Sequence, residues 1–78
     1  MSDVYAVMVF ERHSDPDVEI FTSEPAAVAR AREIAEDYAR SPEDIEEPDD
    51  HYGWLYYAGW GTEGDHVWVD RREVKEAP

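Results

Sequence analysis

Seventy-eight residues are enough for one domain with one thin core, and leave no room for a second. Twenty acidic against seven basic side chains give a formal charge of −13, which excludes a phosphate-binding surface built from clustered Lys and Arg and disfavours an anionic membrane. With no Cys, disulfides and thiolate metal sites are excluded too, and the chain suits a reducing, cytoplasmic setting.

A domain of this size often gains stability from disulfides, metal or association, and here association is the simplest of these. The start of the chain is acidic, and the apolar run behind it ends at Glu11-Arg12, too early for a signal peptide or a membrane span. There is one Lys against six Arg and no Asn or Gln, the mark of GC-rich coding or of salt adaptation. Part of the acidity therefore reflects solubility rather than a site.

Val4-Tyr5-Ala6-Val7-Met8-Val9-Phe10 is apolar throughout, which predicts a strand over about 3–11 buried on both faces. Glu11 to Asp17 reads as a loop turned by Pro16, and Val18-Glu19-Ile20-Phe21-Thr22 as a second strand closing a hairpin. A helix follows over about 24–40. Thr22 or Ser23 can cap it, Glu24 suits the positive end of its dipole, and Pro25 is tolerated in its first turn. Val28, Ala31, Ile34, Ala35 and Tyr38 form its apolar stripe, while Arg30, Arg32, Glu33, Glu36, Asp37 and Arg40 fill the opposite face. Glu36 and Arg40 are spaced for an ion pair, and Pro42 ends the helix.

Residues 41–51 carry six acids, Glu43, Asp44, Glu46, Glu47, Asp49 and Asp50, with Pro42 and Pro48. Mutual repulsion predicts an extended, mobile loop. The next stretch, Tyr52 to Trp60, holds five of the ten aromatic residues and reads as a third strand. Thr62-Glu63-Gly64 suits a three-residue hairpin loop with Gly64 in the left-handed position, and a fourth strand spans about 66–71. The polar tail, 72–78, is expected to fray. The pattern is an α+β domain, ββαββ, with a four-stranded, mainly antiparallel sheet of order 2-1-3-4 and one helix on one face; 2-1-4-3 is the alternative order.

Alternation in the third strand puts Gly53, Leu55, Tyr57, Gly59 and Gly61 on one side and Tyr52, Trp54, Tyr56, Ala58 and Trp60 on the other. The glycine-bearing side suits close approach by the Ala-rich helix. A three-residue loop then sets Trp60 opposite His66 and Ala58 opposite Trp68. Tyr52, Trp54, Tyr56, Trp60 and Trp68 would share the uncovered face as a partner-binding patch. An even-numbered loop moves Trp68 to the helix side, and the alternative to a patch is that the rings are core.

Chemistry-bearing patterns are weak. His13 with Asp15 and Asp17, Asp49-Asp50-His51 and Asp65-His66 match no metal motif of fixed geometry. No Ser lies in a nucleophile elbow, and no glycine-rich loop precedes a helix to hold phosphate. No catalytic residue, metal site or cofactor is expected, and a strongly acidic surround argues against stacking of single-stranded nucleic acid on the aromatic face.

Val7-Met8-Val9, Arg12-His13, Asp15-Pro16 and Gly53-Trp54-Leu55-Tyr56-Tyr57-Ala58 resemble segments of short proteins of high-GC actinobacteria and their phages. The resemblance spans most of the chain and implies a cytoplasmic location; it carries no activity and no functional residue. The leading expectation is a non-enzymatic interaction module that homodimerises through its aromatic sheet face. A second is an acidic inhibitor that mimics nucleic acid on a basic protein, with Asp15, Asp17 and Glu19 joining the 43–50 acids on one ridge. A third is a weak metal or small-ligand binder.

Overall fold

The computed structural model describes residues 3–11, 16–61 and 64–75. Five antiparallel strands form one sheet: β1 (Asp3–Phe10), β2 (Asp17–Phe21), β3 (Ile45–Glu46), β4 (Tyr56–Trp60) and β5 (Asp65–Glu73). A single helix, α1 (Glu24–Tyr38), lies between β2 and β3 in sequence and packs on one side of the sheet. The class is α+β, as the sequence predicts. The strand order, β2-β1-β5-β4-β3, is not the expected 2-1-3-4; it is the alternative order extended by a short edge strand.

That extra strand explains the difference. Successive antiparallel pairs make β2 and β3 run the same way, so the chain returns from the helix along Ile45-Glu46. The aromatic strand β4 then doubles back, opposite to the direction expected of it, and β5 is left to fill the centre beside β1. The acidic segment is accordingly not an open loop. It folds as a 3-10 turn at Pro42–Asp44, then β3, then a second turn at His51–Gly53.

The helix begins as its sequence dictates. The Ser23 side chain accepts a hydrogen bond from the Ala26 N–H, Pro25 sits in the first turn, and Glu24 occupies the positive end. It ends at Tyr38, with Ala39 as C-cap, so Arg40 lies past it and forms no ion pair with Glu36. Ala27, Ala31, Ile34 and Ala35 are buried, with Val28 half-buried beside them. Small side chains bring the helix down onto Val7, Val67 and Val69, all fully buried. Ring stacking of Tyr38 on Trp60, 5.7 Å between centroids, extends the seal at the helix C-terminus.

The third strand is shorter than predicted. His51, Tyr52 and Gly53 all have positive φ, at 50°, 52° and 84°. Three successive left-handed residues cannot continue a pleat, and only Gly53 takes that conformation without steric cost. Asp50 accepts a hydrogen bond from the Tyr52 N–H and fixes the turn. At the other end of the chain, β5 runs on to Glu73 against β1, so Arg72 and Glu73 belong to the sheet rather than to a frayed tail.

Candidate functional site

The register decides what each face carries. Trp60 pairs with Asp65, leaving four residues, Gly61 to Gly64, between the strands instead of the expected three. Gly61 and Gly64 both take positive φ, as tight reversal requires; Thr62 and Glu63 lie outside the described residues. The even-numbered loop does not move Trp68 to the helix side. It turns β4 over instead. Tyr56, Ala58 and Trp60 join Val67 and Val69 under the helix, and Tyr57 and Gly59 come to the open side with His66 and Trp68.

Two of the expected partner-binding residues are therefore core: Tyr56 is 1% exposed and Trp60 5%. Their burial has a physical cause, since the Ala-rich helix leaves volume over β4 that only large rings fill. The Tyr56 hydroxyl donates to Glu47 Oε1 at 2.5 Å, and Arg32 stands over its ring. Burial first and the Glu47 hydrogen bond second push this phenol well above its ordinary pKa.

Trp54, Trp68 and Tyr52 do lie on the open side, within a connected set of rings. Phe10 stacks on His66 at 5.6 Å, Tyr57 stacks on His66 at 5.5 Å, and His66 leans on Trp68 at 4.9 Å. Trp54 covers Trp68 at 5.9 Å, and Tyr52 meets Tyr57 edge to face at 4.8 Å. His66 Nδ1 lies 2.6 Å from the Gly64 carbonyl oxygen, which can only accept, so Nδ1 carries the proton. The Trp68 indole Nε1 is closed off from solvent with no hydrogen-bond partner among the described residues.

Sequence reasoning missed Phe10, Tyr57 and His66, and also the contribution of β2. Cross-strand pairs run Ile20 to Ala6 to Asp70 and Val18 to Met8 to Trp68, so Val18 and Ile20 point to the helix-free side. They are 53% and 59% exposed. The acids of the same strand, Asp17 and Glu19, point to the helix side, where Arg30 holds Glu19 through Nε and Nη2 at 3.1 Å and bridges to Glu33. Glu19 is the chief reason the Arg30 pKa rises. The alternation Val18-Glu19-Ile20 was visible in the sequence, but its direction depends on the helix offering an arginine there.

The six acids of the 43–50 segment are spread along the β3 edge. Glu43 and Asp44 form a 3-10 turn, Glu46 sits on β3 opposite Gly59, Glu47 is engaged by Tyr56, Asp49 is exposed and Asp50 caps the second turn. Asp17 and Glu19 are on β2, the opposite edge of the sheet, so these acids do not form the single expected ridge. His13 and Asp15 lie outside the described residues. Among the described residues no three His, Asp or Glu side chains group as a metal site, and no helix is long and apolar enough to cross a membrane.

Comparison with known proteins gives no matching family model, no matching curated protein and no matching solved structure.

Proposed function

We propose that the chain is a non-enzymatic cytoplasmic interaction module whose occupant on the open sheet face is a second copy of itself. The reading is carried by the orientation of β2, which turns Val18 and Ile20 away from the helix and its acids, Asp17 and Glu19, toward it. Because strand side chains alternate, a one-residue slip would hide both apolar residues under the helix, so this orientation favours a covered open face. Phe10 and Trp54 are also substantially exposed on that side, beside Met8 and Trp68.

Area and charge argue for self-association over a basic partner. Strands about 4.8 Å apart, rising about 3.3 Å per residue, give a face on the order of 20 by 25 Å. With side-chain relief its area approaches the ~800 Å² per partner of a stable interface. Its charge is nearly balanced, since Asp70 pairs with Arg72 on the same strand face and Glu46 stands at the rim. A twofold axis through such a patch matches apolar surface to itself and keeps the acidic edges in water.

Ile20→Lys tests this at a position too exposed to endanger the fold. Sedimentation equilibrium should show a dimer for the parent at micromolar concentration and a monomer for the variant. A parent that stays monomeric into the millimolar range overturns the reading.

A further inference from the structure

A groove of about 440 Å³ opens at the β3–β4 rim of the sheet, away from β2. Its size falls within the ~300–1,000 Å³ of small-ligand sites. Tyr52 and Tyr57 line it with ring planes at 90° and centroids 4.8 Å apart. Glu46 and Glu47 line the side toward β3, and Gly59, Gly61 and Gly64 line it without side chains. Glu47 is already engaged by Tyr56, whereas Glu46 makes no hydrogen bond or ion pair among the described residues. Gly59 keeps this floor low; a Cβ there would sit in ordinary contact with the Asp65 carbonyl oxygen at 3.5 Å and the Tyr57 ring at 3.8 Å.

Aromatic faces set at right angles attract a compact cation through their quadrupoles, and a nearby carboxylate adds charge without a coordination geometry. Asp65 lines the groove as well, but among the described residues no three carboxylate or imidazole groups converge on one point as a hard or soft metal ion requires. Anions are repelled by the carboxylates. An apolar ligand would leave Glu46 beside it unpaired. We infer that the groove binds an alkylammonium group, with Tyr52 and Tyr57 as its aromatic walls and Glu46 as its counter-charge. The groove opens on the same side of the sheet as the proposed dimer face, at the edge away from Val18 and Ile20, so a second copy competes for it rather than building it.

The test is an NMR titration of the full chain with choline, followed at the Gly59, Gly61 and Gly64 amides. 3,3-Dimethylbutan-1-ol, which has the same shape without charge, and sodium chloride at matched ionic strength serve as controls. Saturable shifts with choline, at least fivefold weaker with the neutral alcohol and absent with salt, are expected. Tyr52→Asn removes a ring while suiting the left-handed backbone at that position, and Glu46→Gln removes the charge; each should weaken choline by at least threefold. Repeating the titration on monomeric Ile20→Lys should give binding at least as tight as the parent's, which separates failure of the groove from failure of the dimer. A peptide bearing trimethyl-lysine distinguishes a protein side chain from a free solute: tighter binding than choline assigns the former, equal binding the latter. Shifts that fail to saturate, that match the alcohol or salt, or that survive Tyr52→Asn overturn the inference.

Discussion

The two faces of one sheet solve the same problem by different means. Under the helix, Val7, Val67, Val69 and Ala58 are shut off completely by alanines that let the backbone come close. On the open side, Phe10, His66, Trp68, Trp54, Tyr57 and Tyr52 cover one another, ring against ring, and remain partly wet. The first arrangement depends on shape fit to a fixed neighbour and tolerates no change of volume. The second depends on local stacking and leaves surface free to meet something else.

Paired substitutions make that contrast measurable. Trp60→Ala on the covered face should cost about 3–5 kcal/mol in urea unfolding, because it opens a cavity between β4 and the helix. Trp54→Ser on the open face should cost about 1 kcal/mol in dilute monomer, the value of a lost ring contact, yet abolish the dimer by sedimentation. Equal unfolding costs would erase the distinction between the faces.

Tyr56→Phe probes the covered face without a cavity. It removes the hydrogen bond to Glu47 and should lower stability by about 1 kcal/mol at neutral pH. The same residue gives a pH signature. In the unfolded chain its phenol ionises near the ordinary value of 10, whereas in the folded chain it stays protonated well above that. Unfolding therefore releases a proton above about pH 10, so the native state keeps its full margin below that pH and loses it as pH climbs. Thermal melts across pH 9 to 12 should fall less steeply for Tyr56→Phe than for the parent. The smallest effect belongs to the β2 rim: a double-mutant cycle of Glu19→Gln and Arg30→Met should give a coupling of about 0.5 kcal/mol, since both side chains are about a third exposed.

The helix was legible because its signals are local: a Ser cap, an early proline and an alanine stripe lie within sixteen residues of sequence, Ser23 to Tyr38. So were β1, β2 and β5, whose composition and alternation are internal to each strand. The strand order and the facing of β4 were not, because each rests on a reversal of the chain. One is the two-residue strand β3, hidden in a segment whose charge argued for a loop. The other is the Trp60–Asp65 pairing, where one extra loop residue turns every β4 side chain over. Trp54 and Trp68 reached the open face even so. Trp68 follows the alternation of β5, and Trp54 stands outside β4, just past a left-handed turn that frees it from that strand's parity.

The long central pair of the sheet has a mechanical consequence. Asp3 lies opposite Glu73, so both described ends of the fold leave from the same end of β1 and β5. Tension between them loads the ladder one hydrogen bond at a time, like opening a zipper, instead of shearing all its bonds together. A rod-like molecule 45 Å long should thus yield at low force when pulled by its ends. The same domain pulled between Asp3 and Phe10's neighbour across the sheet, His66, should resist far longer, because that geometry strains the whole β1–β5 ladder at once.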